Sequence, residues 1–148
     1  MVFMKVYLGS DHAGFETKEE LKKFLSGKGV EFEDLGTNST ESCDYPDYAL
    51  KVARKVAKNK GSLGLLVCGT GTGTSITANK VKGIRSAQAT NEFMAKMARE
   101  HNDANVLSMG ARINSKKEIV KMADVFLSTH FSNEARHIRR VKKMNAAK

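Results

Sequence analysis

The stretch LGLLVCGTGTGTS at residues 63–75 decides the fold class of this chain. Its apolar first half is typical of a strand buried on both faces, as the strands of a parallel sheet are. The alternating glycines that follow allow a tight turn and let a ligand approach the backbone closely. Successive backbone N–H groups at the start of a helix favour negative charge. The stretch therefore predicts a strand–loop–helix unit in which one thiol, Cys68, lies beside an anion-binding loop.

This loop differs from the two common phosphate-binding motifs. A P-loop ends in Gly-Lys-Ser/Thr, whereas Gly73 is followed by Thr74 and Ser75. The dinucleotide-binding fingerprint needs a third Gly or Ala, and Thr74 or Ile76 stands there instead. Nucleotide binding through either motif is therefore disfavoured. Taken alone, the loop is equally well explained as a tight turn, and Cys68 as a small buried side chain.

Length and composition predict one soluble domain. The chain has 148 residues, of which 41% are hydrophobic and 28% are charged. This length and hydrophobic fraction are enough to form a sizeable core. We expect a single domain over residues 1–148 with a basic C-terminal helix from about residue 132. The two cysteines, Cys43 and Cys68, form no CxxC motif, and we expect no secretory signal or membrane span. A cytoplasmic location fits these features.

The charge is strongly basic, with 25 Lys and Arg against 16 Asp and Glu and a net charge of +9. Part of the excess lies in residues 136–148, which contain no acidic residue. Nucleic-acid binding is conceivable on charge alone, but the chain has no recognition motif. Steering of a small anionic substrate explains the same charge. We therefore expect neither nucleic acid nor a membrane as a partner.

Strand and helix patterns alternate along the chain. Capping-box spacings predict helix starts near Thr17 and Ser115, and Pro46 predicts another in its first turn. In the fourth helix we expect Phe93, Met94, Met97 and Ala98 on one side. The predicted strands cover residues 5–10, 30–35, 63–68, 84–89 and 105–109. Five such units predict an α/β fold, an open parallel five-stranded sheet with helices on both faces.

Polar residues follow three of the predicted strands. Asp11 and His12 come after the first strand, Cys68 and its loop end the third, and Arg112 follows the fifth. Ligands of open parallel sheets bind at the carboxyl ends of the strands, so we expect these residues to lie together. Taken singly, each also fits an ordinary structural role, such as a capping Asp or a surface His.

A second group of candidates lies elsewhere in the sequence. His101 and Asn102 precede the fifth strand, so the topology of one chain does not guarantee them a place at the same end of the sheet. Arg136 and Arg140 are four apart on the last predicted helix, so their Cβ atoms should lie about 5–6 Å apart on one face. Two guanidinium groups with His12 nearby would clamp a phosphate. A solvated arginine pair is the plainer explanation.

The same segments resemble a known family. The motifs are SDHAGF at 10–15, DYPDYA at 44–49, CGTGTGTSITANK at 68–80, GIR at 83–85 and HNDANVLSMGAR at 101–112. In order and spacing they resemble ribose-5-phosphate isomerase type B, a family that includes the galactose-6-phosphate isomerase subunits. The resemblance covers about residues 5–141. It implies a flavodoxin-like, Rossmann-type three-layer fold and a homodimer, sometimes paired into a tetramer, with active sites at the subunit interface.

The resemblance also implies roles for individual residues. Cys68 is the implied base that moves a proton between C1 and C2 of the open-chain sugar, and Asp11 moves protons among the hydroxyls. Thr70 assists at the reacting end, and His101 opens the sugar ring. The implied substrate-binding positions are Asn102 for hydroxyls, the backbone of Gly69, Gly71, Thr72 and Gly73 with Ser75 for the enediolate, and His12, Arg112, Arg136 and Arg140 for the phosphate.

The chemistry agrees with these roles. Isomerisation removes a weakly acidic C–H beside a carbonyl, and the charge that develops on oxygen is stabilised by N–H donors. An electropositive loop favours a thiolate over a thiol and also holds that oxygen. No metal and no organic cofactor is required. We therefore predict an intramolecular oxidoreductase, an aldose–ketose isomerase that interconverts ribose 5-phosphate and ribulose 5-phosphate through an enediolate.

Two alternatives remain open. The same chemistry would serve a hexose 6-phosphate, such as allose or galactose 6-phosphate, and a non-catalytic sugar-phosphate-binding module would also keep the basic residues. The sequence also departs from the family pattern. Glu134 and Ala135 replace two glycines that often precede the phosphate-binding Arg, and Thr74 and Thr77 stand where apolar or small residues are usual.

Overall fold

The computed structural model describes residues 4–147 and contains one parallel sheet. The elements are β1 (Val6–Ser10), α1 (Phe15–Gly27), β2 (Phe32–Asp34), α2 (Tyr45–Lys58), β3 (Leu63–Cys68), α3 (Thr72–Ala78), β4 (Ser86–Gln88), α4 (Glu92–Asn102), β5 (Val106–Gly110), α5 (Lys116–Ser128) and α6 (Ala135–Ala146). The strands lie in the order β2-β1-β3-β5-β4, and all four pairings are parallel. This architecture confirms the predicted α/β fold with five parallel strands.

Helices cover both faces of the sheet. The central strands β1, β3 and β5 are buried along their whole length, as parallel strands between two helical layers must be. On one face, Leu8 and Leu65 of the sheet pack with Phe126 of α5 and with α1 and α4, while on the other face Leu66 packs with Val52 of α2 and with α3. The hydrophobic core therefore forms two layers, one on each face of the sheet.

The register of the strands creates two distinct edges of the sheet. Ser10 pairs with Val67, and Cys68 pairs with Gly110, so the segments after β1, β3 and β5 emerge side by side. We call this end the carboxyl edge and the opposite end the amino edge. The five residues of β5 separate the two edges by about 13 Å at about 3.3 Å per residue.

Several predicted local features are wrong, for identifiable reasons. Thr17 does not cap α1, because it lies inside the helix and is buried, and the N-cap is Gly14. In α4 the core face consists of Ala95 and Ala98, so Ala98 alone of the four residues expected on one side is buried, whereas Phe93 is 70% exposed and Met94 40% exposed. Large apolar residues favour burial on average, but both buried residues of α4 are alanines.

Other predicted boundaries shift by a few residues. The second and fourth strands span three residues each, where the sequence pattern predicts six. His101 and Asn102, which precede the fifth strand, are the last residues of α4, with Asp103 in a left-handed conformation as its C-cap. The last helix begins at Ala135 rather than near 132. Ser115 does cap α5, since its hydroxyl accepts the Glu118 N–H.

A buried ion pair joins α1 to β2. The Lys18 side chain is 0% exposed, and its ammonium donates to both carboxylate oxygens of Asp34 at 2.7 and 2.6 Å. Burial alone would raise the pKa of Asp34, but hydrogen bonds from Lys18, the Gly36 N–H and Lys22 outweigh it and hold that pKa below its ordinary value. The Asp34 hydrogen bond in turn raises the pKa of Lys22.

The side chain of Asn79 forms hydrogen bonds with the outer edge of β4. Asn79, at the end of α3, accepts the Ser86 N–H at 2.7 Å through Oδ1 and donates to the Ser86 carbonyl at 3.0 Å through Nδ2. These two bonds reproduce the pair that a neighbouring strand would make. The amide of Asn79 therefore takes the place of a sixth strand at this position.

Candidate active site

The Cys68 sulfur lies among polar groups at the carboxyl edge. The side chain is 4% exposed, and its Sγ accepts the Gly71 N–H at 3.2 Å and lies 3.3 Å from Thr74 Oγ1. The Thr74 hydroxyl is also placed to donate to the Gly71 carbonyl at 3.3 Å. When the sulfur is a thiol it has an acceptor, and when it is a thiolate it has two donors within reach. This environment suits a group that alternates between the two states.

Gly71 makes this geometry possible. Its φ is +83°, in the left-handed region that glycine enters without strain. A Cβ at this position would lie 2.9 Å from the Met109 carbonyl carbon and 3.1 Å from its Cα. Any larger residue would therefore push the loop away from β5 and move the N–H that faces the sulfur.

Backbone donors remain free beside Cys68. Within residues 4–147, the N–H groups of Gly73 and Thr74 have no hydrogen-bond acceptor, while the Thr72 N–H is taken by Thr70 Oγ1. The Ser75 N–H is used by the Gly71 carbonyl, and its hydroxyl faces Ser86 Oγ at 3.1 Å. In this structure Ser75 therefore has no free backbone donor for an oxyanion.

Asp11 and His12 lie at the same edge, as predicted. Asp11 is 6% exposed, and its Oδ1 accepts the Gly14 N–H at 3.1 Å. The Asp11 backbone N–H bonds to the Val67 carbonyl at 3.3 Å, which ties this segment to β3. His12 Nδ1 accepts the Cys43 N–H at 3.2 Å. That bond leaves the other ring nitrogen, Nε2, to carry a proton and to donate to a ligand.

Arg112 and Thr70 complete the carboxyl edge. The Arg112 N–H donates to the Gly69 carbonyl at 3.0 Å, and its guanidinium passes over Gly69, where a Cβ would lie 3.1 Å from Nη1. Both Thr70 and Arg112 are exposed. The structure therefore brings Asp11, His12, the 68–73 loop and Arg112 together, as the strand-end rule predicts.

The remaining candidates lie at the amino edge. His101 and Asn102 end α4, and the His101 ring stacks on His137 with centroids 4.3 Å apart and planes tilted by 32°. Arg136 and Arg140 lie on α6 and are exposed. In a single chain these residues do not meet Cys68 or His12, so the expected clamp of His12 with the two arginines is not formed within one copy.

His137 contacts several of the residues at the amino edge. It is 4% exposed, its Nδ1 lies 2.6 Å from Ser132 Oγ, and its Nε2 accepts Arg136 Nε at 3.4 Å. Burial lowers the pKa of His137, and the positive charges of His101 and Arg136 lower it further. Glu134 pairs with Arg136 at 3.1 Å, so this carboxylate contacts a candidate phosphate ligand directly.

Four contributors were missed by sequence reasoning. The Cys43 N–H orients His12, the Tyr45 ring packs against Gly73, Gln88 binds the loop after β3, and His137 organises the amino edge. Only the DYPDYA motif offered a signal, and only for Tyr45. The other three depend on contacts between segments that are distant in sequence.

Three further observations concern the surroundings of these groups. A cavity of about 980 Å³ opens at the amino edge, beside Asn102 and Arg85, rather than next to Cys68. Among residues 4–147, no three His, Cys, Asp or Glu side chains converge as metal ligands would. None of the helices described is long and apolar enough to cross a bilayer.

Known proteins share both the sequence and the fold. The family model described as Ribose/Galactose Isomerase matches residues 6–144. Ribose-5-phosphate isomerase B of Escherichia coli K12 is 41% identical over 142 residues, which cover 96% of this chain and 95% of that protein. The type B ribose 5-phosphate isomerase of Trypanosoma brucei superposes with a TM-score of 0.94 at 44% identity, covering 99% of this chain and 100% of that one.

A further solved structure carries a ligand. Ribose-5-phosphate isomerase B of Mycoplasma genitalium, with bound ribulose 5-phosphate, superposes with a TM-score of 0.93 at 39% identity, covering 98% of this chain and 96% of that one. A match over almost the whole chain, in both sequence and fold, is specific. The chain therefore belongs to the ribose/galactose isomerase family.

Proposed function

We propose that this chain is an aldose–ketose isomerase that interconverts ribose 5-phosphate and ribulose 5-phosphate. The observation that carries the proposal is the Cys68 sulfur, held between the Gly71 N–H at 3.2 Å and the Thr74 hydroxyl at 3.3 Å. The relatives that bear the name ribose-5-phosphate isomerase B, and the neighbour with bound ribulose 5-phosphate, support this choice of substrate.

The proposed reaction begins at the sulfur. The Cys68 thiolate takes the proton from C2 of the open-chain aldose, and the electron pair moves onto the C1 oxygen to give an enediolate. The free N–H groups of Gly73 and Thr74 supply donors for that charge, and loss of one such donor typically costs about 2.7–4 kcal/mol. Asp11, with help from Thr70, moves a proton between the two oxygens. The Cys68 thiol then returns its proton to C1, which completes the ketose.

The phosphate and the ring-opening step require the amino-edge residues. We propose that a second copy supplies His101, Asn102, Arg136 and Arg140 to the carboxyl edge of the first, where His12 and Arg112 already lie. His101 then opens the sugar ring and Asn102 binds hydroxyls, while the arginines hold the phosphate. The separation of the two groups by about 13 Å of sheet supports a dimeric site, because neither group is complete alone.

The proposed environment follows from the same features. The two free cysteines fit a reducing compartment, so we propose a cytoplasmic enzyme. The proposed dimer, alone or paired into a tetramer, acts on a small phosphorylated sugar and needs neither nucleic acid nor a membrane surface. The basic residues of α6 serve the phosphate in this arrangement.

A coupled isomerisation assay on pentose 5-phosphates and hexose 6-phosphates tests the proposal. We expect turnover of ribose 5-phosphate, and the family description makes galactose 6-phosphate the second substrate to try. Cys68→Ala should abolish turnover but still bind ribulose 5-phosphate by calorimetry. Absence of turnover on every sugar would refute the enzyme proposal, and undiminished turnover by Cys68→Ala would refute the role of the sulfur.

A further inference from the structure

Gln88 lies at the end of β4 and reaches the loop that follows β3. Its Nε2 donates to the Thr70 carbonyl at 3.0 Å and to Thr72 Oγ1 at 2.8 Å. A carbonyl oxygen can only accept, so the NH₂ end of the side chain is the end that faces Thr70. Both hydrogens of this amide therefore hold the loop, one on its backbone and one on a side chain.

The Thr70 carbonyl that accepts from Gln88 and the Gly71 N–H that donates to the Cys68 sulfur belong to the same peptide unit. The Thr70–Gly71 peptide is planar and trans, so its C=O and N–H point in opposite directions. Gln88 binds the oxygen at 3.0 Å, and the Gly71 N–H lies 3.2 Å from Cys68 Sγ. Holding the carbonyl away from the sulfur therefore holds the N–H toward it.

This peptide needs such an anchor because it precedes a glycine. Gly71 has φ +83° and no Cβ, so the peptide plane before it rotates more readily than most. Half a turn would present the Thr70 oxygen to the sulfur, replacing a donor by a negative dipole end. That arrangement disfavours a thiolate. Within residues 4–147, Gln88 provides the side-chain hydrogen bond to this oxygen.

We propose that Gln88 is a positioning residue for Cys68: it fixes the Thr70–Gly71 peptide and keeps the Gly71 N–H directed at the sulfur, where it stabilises negative charge. Gln88 acts through this peptide and takes no part in proton transfer itself. The catalytic role of the thiolate rests on the proposed function, but the orientation of the Thr70–Gly71 peptide does not. Gln88 and Thr72 lie outside the core, so exchanging them leaves the packing of the sheet intact.

The test is a thiolate titration by ultraviolet absorbance, which needs neither substrate nor a reagent able to reach the buried sulfur. Cys43→Ser serves as the parent, because the chain has two cysteines and Cys68 is then the only thiol. Gln88→Met keeps the length of the side chain and removes both donors. We expect its titration curve to move to higher pH by about one unit, which is about tenfold less thiolate at a fixed lower pH.

Two matched variants separate the proposal from a general loosening of the loop. Thr72→Val removes the second Gln88 hydrogen bond but keeps the one to Thr70, and Thr90→Ala changes the same segment without touching the loop. Both should titrate with the parent. The proposal is overturned if Gln88→Met titrates with the parent, or if Thr72→Val moves the curve equally. Turnover on sugar phosphates decides the proposed function separately, since the titration contains no substrate.

Discussion

Mixing two inactive variants of this chain should restore part of the turnover. Cys68→Ala removes the proposed base at the carboxyl edge, and His101→Ala removes the proposed ring-opening group at the amino edge. Each variant alone should be nearly inactive on ribose 5-phosphate. A mixed dimer, however, has one site that takes Cys68 from the second variant and His101 from the first, and that site is intact.

The size of the recovery follows from counting sites. Random pairing of equal amounts makes about half of the dimers mixed, and each mixed dimer has one intact site of two, so turnover should return to about a quarter of wild type. The assay is the coupled isomerisation rate after the two variants are unfolded together in urea and refolded, so that the copies exchange.

The matched control mixes two variants of the same edge. Cys68→Ala and Asp11→Asn alter groups that one copy supplies together, so every site in their mixed dimer lacks one of them and no recovery is expected. If the first mixture stays inactive while size-exclusion chromatography with differently tagged copies shows mixed dimers, the two-copy site is refuted.

Three further predictions concern stability. Asp34→Asn leaves the buried Lys18 ammonium with only the Glu19 carboxylate, at 3.5 Å, as a counter-charge and should cost about 3 kcal/mol in urea unfolding, whereas Lys18→Met, which leaves Asp34 paired with Lys22, should cost clearly less; equal losses would contradict the burial argument. Gly71→Ala should cost more than Gly61→Ala, since both have positive φ but only the first meets backbone within 4 Å, and urea unfolding of the two variants compares them directly. Because the pKa of His137 is lowered in the fold, the unfolded chain takes up the proton first as pH falls through about 6.5, so stability should drop there. His137→Gln should flatten that part of a plot of melting temperature against pH.

The fold and half of the site follow from local patterns. Apolar runs ended by polar or glycine-rich turns identified β1, β3 and β5, and the strand-end rule then placed Asp11, His12 and Cys68 together. These features depend on residues close in sequence. The capping bond of Ser115 is local in the same way and was also predicted correctly.

The rest depends on packing and on distant contacts. Periodicity in α4 groups Phe93 with Ala98 on one side but does not decide which of them packs on the sheet, and the structure buries Ala95 and Ala98 while Phe93 stays exposed. The Cys43 N–H reaches His12 across 31 residues, and Gln88 reaches Thr70 across 18. No propensity or spacing rule encodes such pairs.

The two hydrogen bonds between Asn79 and Ser86 of β4 protect this chain against aggregation. An edge strand of an open sheet exposes unpaired backbone N–H and C=O groups. A strand of another chain can pair with these groups, and such pairing is the first step of fibril growth. Here the edge strand β4 is three residues long, and both outward groups of Ser86 are already occupied. We expect Asn79→Ala to expose the backbone N–H and C=O of Ser86 and to cause slow precipitation of the protein on storage.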